Sequence, residues 1–392
     1  MLYLFTATFP FGTAETFLED EILCLAKSFE KIAIIPLYGD SAKMRPVPKN
    51  CTVNKPLIRS KSHKYLYGLL PSKTLRYFIP DFFSHWVYTD KKRLKTWLIA
   101  YLNTNCILRS SAIQSLGTHL KPNDICYFYW GKGSNVLAAF WKGKARFVSR
   151  FHGEWDLWEE SSGNYAPIRN RIASALDLAV FISRKGEMYF HERYPQCQTL
   201  LSRLGAFGNG TAAKSDDGIV RVLTCSSVYP LKRVPFILEA LRNTMNLKIE
   251  WTHIGDGADF EKLQEMAKDA ENERFKINLL GRLPHSAVIR YYQTNKVDLF
   301  INLSLNEGIP VSIMEAISFG VPVVATDVGG TSEIVTKESG ILVSADPTIE
   351  EVADAVSFVL NHEYNSAIFW DKYYNAAVNY SSFAEVLHSL HS

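Results

Sequence analysis

The stretch LSLNEGIPVSIMEAISFGVPVVATDVGGTSEIV, running from Leu303 to Val335, decides the fold class. It begins at the end of an apolar run, Leu299–Leu303, turns through Gly308 and Pro310, and continues with apolar residues at helical spacing from Val311 to Phe319. After Gly320 a second apolar run, Pro322–Ala325, reads as another buried strand. Strand, turn, helix, strand is the repeat of a parallel sheet with helices on its faces. The turn gathers the backbone N–H groups of Gly308, Ile309 and Val311 at the positive end of a helix, with Pro310 fixing the entry, and that geometry suits phosphate. Glu307 in the turn and Glu315 on the helix can each accept hydrogen bonds from hydroxyls of one extended ligand, such as a sugar and a ribose joined by diphosphate. Ser312-x-x-Glu315 also reads as a capping box, in which Glu315 only satisfies backbone donors. Both readings stand at this level.

Outward from that stretch the same alternation fills the chain. Strands are expected at Val220–Cys225, Lys248–Ile254 and Lys276–Leu280, and helices at Val234–Leu241, Ala258–Ala270, His285–Thr294 and Ile349–Leu360. In the first half, Leu2–Thr8, Ile32–Leu37, Ile125–Trp130 and Ala145–Phe151 read as strands, and Leu18, Ile22, Leu25 and Phe29 recur at helical spacing. A chain of 392 residues exceeds what one core usually organises. The Gly-, Ala- and Ser-rich stretch 205–218 is the linker candidate. The expectation is a first Rossmann-like domain over 1–208, a second over 215–360, and a helical tail, 361–392, that packs back on the first. Ligands of such sheets sit at the carboxyl ends of the strands, so the active site is expected between the two domains.

Composition excludes several classes. The six cysteines form no C-x-x-C pair, which argues against a zinc site or a small disulfide scaffold and fits a reducing cytoplasm. The opening MLYLFTATFPF lacks a basic leader and a cleavage site, so it reads as a buried first strand, and no apolar run is long enough to span a bilayer. There is no G-x4-G-K-[ST] loop and no zincin H-E-x-x-H. Gly131-x-Gly133 resembles a dinucleotide fingerprint but has Val136 in the place of the third glycine. No D-x-D cluster marks a strand end, so neither a metal nor a cofactor is expected.

The net charge of +3 conceals an asymmetry: residues 1–150 carry +13 and residues 151–392 carry −10. Much of the basic charge lies between Lys55 and Lys95, interleaved with Tyr65, Tyr67, Leu69, Leu70, Tyr77, Phe78, Phe82, Phe83, Trp86 and Tyr88. Such a mixture suits an anionic membrane surface, or else is a helical insertion whose rings are core. Nucleic acid is not expected as a partner, because no recognisable module accompanies the charge.

Glu307 and Glu315, separated by seven residues and followed by Gly320, Pro322, Gly329–Gly330 and Glu333, resemble the E-x7-E signature of retaining GT-B glycosyltransferases of family 4. VLTCSSVYPLKR, Val222 to Arg233, resembles that family's diphosphate-binding loop, which implies a catalytic and donor-binding role for Lys232 and a donor contact for Arg233. The segment LGRLP, Leu280 to Pro284, implies base contacts from Arg282 and Leu283. SRFHGEWDLW, Ser149 to Trp158, resembles the family's His-Gly segment and implies that His152 faces the reacting sugar. Gly12, in FPFGTAETF, matches the first glycine of the family's phosphate-approaching loop, with Thr13 in place of the second. Ser227 stands where the family commonly has arginine, and Arg150 is left between a ligand contact and a salt bridge. The resemblance implies two Rossmann-like domains facing a cleft and metal-independent transfer, with retention, from a UDP- or GDP-sugar to a lipid-linked glycan. The acceptor expected is a polyprenyl-diphosphate-linked glycan in bacterial surface-polysaccharide synthesis, at the inner face of the plasma membrane. A sugar-nucleotide epimerase or another enzyme on this fold, or a non-catalytic partner that kept it, are the alternatives.

Overall fold

A computed structural model describes residues 1–12, 14–39, 44–58, 68–69, 72–153, 156–244 and 247–390. The chain divides into two compact units, Met1–Arg203 with Tyr380–Ser392, and Leu204–Asn379.

The first unit is built on β1 (Leu2–Thr6), β2 (Ile32–Pro36), β3 (Cys51–Val53), β4 (Ile125–Phe128), β5 (Arg146–Phe151), β6 (Leu178–Phe181) and β7 (Thr199–Leu201). Their order is β3-β2-β1-β4-β5-β6-β7, and each neighbouring pair runs parallel. Strands such as β2 and β4 are buried along their whole length, because helices cover both faces, and they read as apolar runs without alternation. The helix Phe17–Ser28 turns Leu18, Ile22 and Leu25 onto the sheet, as its spacing requires.

The second unit repeats the plan with β8 (Ile219–Cys225), β9 (Lys248–Ile254), β10 (Phe275–Leu279), β11 (Leu299–Asn302), β12 (Val323–Thr326) and β13 (Gly340–Val343), in the order β10-β9-β8-β11-β12-β13. In each unit the order reverses at a switch point, beside β1 and β4 in one and beside β8 and β11 in the other. Crevices that take ligands in such sheets lie there, outside the carboxyl ends of the strands.

The expected strands form to within about two residues at each end. Four short ones, β3, β6, β7 and β13, lie outside the expected set, since runs of three or four residues carry no period to detect. The stretch 205–218 is not a free connection: Ala206 bridges to Asn375 and Ala213 to Lys296, both in the second unit. The tail divides. Residues 361–379 group with the second unit, where the Trp370 indole donates to the Ala206 carbonyl at 3.1 Å. Only from Tyr380 onward does the chain join the first, where Phe383, Ala384 and Leu387 complete the core around Leu2, Leu4 and Leu18.

Arg150 proves to be a salt-bridge partner. It is fully buried, 3.3 Å from the equally buried Glu21, with the rings of Tyr127, Tyr129 and Phe383 about its guanidinium. The basic and aromatic segment is both core and surface: Phe78 is buried against Trp97 and Tyr101, whereas Phe83, Trp86, Tyr88, Leu94 and Leu98 are exposed. Tyr65, Tyr67 and Leu70 lie outside the described residues, as do Thr13, Glu154 and Trp155. No helix among the described residues is long and apolar enough to cross a membrane.

Candidate active site

In the second unit the loops that leave β8, β9 and β10 are knitted together at their carboxyl ends. Ser226 donates its N–H to the Ile254 carbonyl at 3.0 Å, Val228 to Asp256 at 2.9 Å, and Gly255 to Gly281 at 2.8 Å. Beside them the chain after β11 makes the turn that carries Glu307. This carboxylate is 6% exposed, and its Oε1 accepts from Lys232 Nζ at 2.6 Å and from Ser304 Oγ at 2.6 Å. The Ser304 hydroxyl also lies 2.7 Å from Asn302 Oδ1 and completes the bracket. Lys232 sits on the short 3-10 turn Pro230–Lys232, and Leu305 donates to the Leu231 carbonyl at 2.8 Å, which binds that turn to the Glu307 loop.

Gly329 and Gly330 fix the other side. Gly330 donates to the Gly308 carbonyl at 2.9 Å. Gly329 has φ +56°, and a Cβ there would lie 1.7 Å from the Glu307 carbonyl oxygen. Only glycine lets the two loops approach so closely.

The helix Val311–Ser318 starts from Pro310 without a side-chain cap. The capping box does not form, because Pro310 takes the cap position and leaves Ser312 and Glu315 inside the helix. Glu315, 7% exposed, instead lies 2.9 Å from His285 Nε2. The segment therefore offers two carboxylates, a lysine and an uncapped helix terminus at the switch point of the sheet. A diphosphate is matched by the lysine and the helix end, and hydroxyls by the carboxylates.

The remaining predicted residues of this unit are placed differently. Arg233, in the left-handed region with φ +49°, points its guanidinium to the Ala345 carbonyl at 2.7 Å and to Asp346 at 3.3 Å. Arg282 is exposed and paired with Asp256 at 2.9 Å, and Leu283 is half-buried beside it. Ile309 and Pro310 are buried, with Gly308 and Val311 partly so. Beneath the loops lies His253, fully buried, with Nδ1 2.8 Å from Thr224 Oγ1; burial pushes its imidazole down to about 4.

In the first unit His152 follows β5. Its ring stacks among Trp130, Tyr129 and Phe17, with centroids 4.3, 4.9 and 5.8 Å away. Neither ring nitrogen has a hydrogen-bond partner among the described residues, and Nδ1 stands 3.5 Å from Asp156. Asp156 receives the backbone N–H groups of His152, Gly153 and Gly131, and so fixes the loop that presents the ring.

Two positioning residues escaped sequence reasoning, Asp156 and Glu15. Glu15 accepts the N–H groups of Ala7, Thr8 and Phe9 and the indole N–H of Trp130, which clamps the FPFGTAETF loop against the ring beside His152. The one signal for either was an acid close to a glycine in a loop that follows a strand. Gly12, in the same loop, has φ +68° and open space at its Cβ position.

Comparison with known proteins agrees with this architecture. Residues 213–377, most of the second unit, match the family described as Glycosyl transferases group 1. The O-antigen biosynthesis glycosyltransferase WbnH of Escherichia coli is 34% identical over 107 residues, 27% of this chain and 29% of that protein. The lipopolysaccharide core biosynthesis mannosyltransferase LpsB of Rhizobium meliloti is 38% identical over 78 residues, 19% of this chain and 22% of that one. The chain thus spans about a third or less of the length of the curated relatives it matches. Among solved structures, Anabaena Alr3699/HepE in complex with UDP and glucose superposes with a TM-score of 0.65 at 17% identity, covering 99% of this chain and 100% of that one. At that identity the likeness shows the fold alone. The fold is GT-B, with its two Rossmann-like α/β units.

Proposed function

We propose that this protein is a retaining, family 4 glycosyltransferase that takes a sugar from a UDP- or GDP-sugar. The observation that carries the reading is the Lys232–Glu307 pair, 2.6 Å apart beside the uncapped Val311–Ser318 helix, in the segment that matches group 1 glycosyltransferases. The chemical problem is the departure of a nucleoside diphosphate. Lys232 and the N–H groups at Gly308–Val311 stabilise the charge that develops on it, with no metal required. Glu307, held from below by Ser304 and Asn302, accepts hydroxyls of the transferred sugar as it becomes cation-like. Glu315 accepts the ribose hydroxyls, and His285 orients it. Arg282 and Leu283 lie beside the base, and Arg233 acts on the diphosphate only through the loop it fixes. His152, with both ring nitrogens unpartnered, supplies a hydrogen bond to the reacting sugar. The acceptor hydroxyl attacks on the leaving group's side and its proton passes to the departing phosphate oxygen.

The acceptor in this reading is a lipid-linked glycan of bacterial surface-polysaccharide synthesis. The names of the relatives and the exposed Phe83, Trp86, Tyr88, Leu94 and Leu98, set among exposed Lys91, Lys92 and Lys95, support it. In this reading the rings and aliphatic side chains enter a headgroup layer while the lysines meet lipid phosphates, at the inner face of the plasma membrane. Turnover of a nucleotide sugar by folded Glu307→Ala and Lys232→Ala proteins tests the assignment. Loss of most activity in both is expected, and near-wild-type rates in both would sink it. Product analysis with donor alone separates transfer from epimerisation.

A further inference from the structure

A cavity of the first unit takes no part in the chemistry above. It has a volume of ≈ 480 Å³ and lies between the helix Leu75–Ser84 and the residues around Lys142 and Arg171. Helical geometry explains how that wall forms. At about 3.6 residues per turn, Tyr77, Asp81 and Ser84 share one face and line the cavity, while Phe78 falls on a second and is buried. Ile79 and Phe83 fall on a third, exposed at 47% and 63%. Pro80, also in the lining, is three residues from Phe83, so the cavity rim and the exposed apolar face adjoin.

Two cations of the wall are accessible and unpaired. Lys142 and Arg171 are exposed, and neither side chain makes a hydrogen bond or an ion pair among the described residues. The Arg171 guanidinium is nevertheless held in place, with its carbon 4.7 Å from the centroid of the Tyr77 ring. A guanidinium stacked on a ring keeps its N–H edge open to a pair of acceptor oxygens. Asp81 is the one acid in the lining among the described residues, and its oxygens are already engaged. It is 7% exposed; Oδ1 accepts the Ile168 N–H at 3.0 Å and stands 3.3 Å from His85 Nδ1, and Oδ2 accepts the Tyr165 hydroxyl. An anion entering the cavity therefore meets a free guanidinium and a free ammonium, a combination suited to phosphate.

The turn that follows the helix presents aromatic rings beside this cavity. Trp86 is 61% exposed, yet its backbone takes the left-handed region at φ +51°. That conformation costs a non-glycine residue about 1–3 kcal/mol and is characteristic of ligand clamps. It is held by the Trp86 N–H on the Phe83 carbonyl at 3.2 Å and by Thr89 Oγ1 donating to the Trp86 carbonyl at 2.7 Å. Arg93 Nη1 adds a bond to the His85 carbonyl at 2.9 Å. The exposed Trp86 ring thus stands beside exposed Tyr88, with centroids 6.1 Å apart, and Tyr88 lies 6.4 Å from Phe83.

We propose that the cavity takes the headgroup phosphate of an anionic phospholipid on Arg171 and Lys142, with Phe83 and Trp86 along the glycerol and acyl carbons. A soluble phosphate ester would leave those rings in water, whereas a lipid covers them. The site rests on the reading of a membrane-facing first unit, and its test is made without a membrane so that the two can fail separately.

The experiment is calorimetric titration of the full chain with dihexanoyl phosphatidylglycerol below its micelle concentration, beside dihexanoyl phosphatidylcholine and glycerol 3-phosphate. Phosphatidylglycerol is expected to saturate one site per chain and to bind at least about tenfold tighter than either of the others. The choline ammonium would face two cations, and glycerol 3-phosphate has no chains to cover the rings. Lys142→Ala with Arg171→Ala is expected to abolish the binding. Lys91→Ala with Lys92→Ala, which removes the same charge from the neighbouring helix, is expected to leave it nearly unchanged. All four side chains are exposed, so circular dichroism of both variants should match the wild type. No saturable binding of phosphatidylglycerol to the wild type, or binding unaltered in the Lys142 and Arg171 variant, would overturn the proposal. Equal affinity for glycerol 3-phosphate would overturn the lipid assignment, and equal affinity for phosphatidylcholine the preference for an anionic headgroup. Binding of the monomeric lipid by a protein that does not float on anionic vesicles would keep the site and refute the membrane reading; the converse would keep that reading and refute the site.

Discussion

Gly329→Ala tests the way the Glu307 turn is held. The residue has φ +56°, so alanine meets the left-handed penalty of roughly 1–2 kcal/mol. Its Cβ would also lie 1.7 Å from the Glu307 carbonyl oxygen and 2.8 Å from the carbonyl carbon, both backbone atoms that cannot swing aside as a side chain can. The two loops must part, and the Gly330 to Gly308 hydrogen bond of 2.9 Å is lost, worth about another 1 kcal/mol. The expected loss of stability is about 2–3 kcal/mol. Gly218→Ala is the control, since Gly218 has φ +76° with nothing within 4 Å of its Cβ position and carries the backbone penalty alone. Urea unfolding should show Gly329→Ala the less stable by about 1 kcal/mol or more. Nucleotide titration should show UDP or GDP binding weakened at least about tenfold in Gly329→Ala alone, because Glu307 moves relative to Lys232. If the two variants match in both measurements, the close approach does not hold the site.

Glu21→Ala leaves Arg150 charged and buried at 0% exposure without its 3.3 Å partner, and should destabilise the first unit by about 3–5 kcal/mol, whereas Glu21→Leu with Arg150→Met and with Tyr127→Phe, which removes the hydroxyl that donates to Glu21 at 3.0 Å, should be near neutral; urea unfolding distinguishes them. His253, pushed down to about 4 by burial, binds its proton later than in the unfolded chain, where it titrates near 6.5. The unfolded state therefore holds more protons between those values, and stability present above about pH 6.5 is lost as pH falls towards 4, up to roughly 3 kcal/mol from this group. His253→Gln should flatten that part of the stability profile relative to wild type. Vesicles containing anionic lipid should float the protein at low salt and release it at high salt, and Phe83→Ser with Trp86→Ser should abolish flotation. Chelation with EDTA should leave transfer unchanged.

The fold was legible because both sheets are buried on both faces, so that β1, β4 and β11 stand out as apolar runs between helical periods. What stayed hidden was short or non-local. Thr199–Leu201 is three residues long, and the tail's division at Tyr380 depends on Trp370 reaching Ala206, which no local pattern announces. At the site, Glu307 and Lys232 were legible from the turn and the family resemblance, and they meet as an ion pair. Arg233 was read as a diphosphate contact, but the left-handed cap it occupies directs its guanidinium to Asp346 and Ala345. Glu15 and Asp156 were missed because their partners are backbone N–H groups, which every residue carries alike.

The claim that Lys232 and Glu307 form a nucleotide-sugar donor site is tested most directly by calorimetric titration of UDP and GDP into the wild type and into folded Lys232→Ala protein. The account predicts saturable binding of at least one of the two nucleotides, weakened at least about tenfold by the substitution. Absence of binding of either to the wild type, or equal affinity in Lys232→Ala, would contradict it.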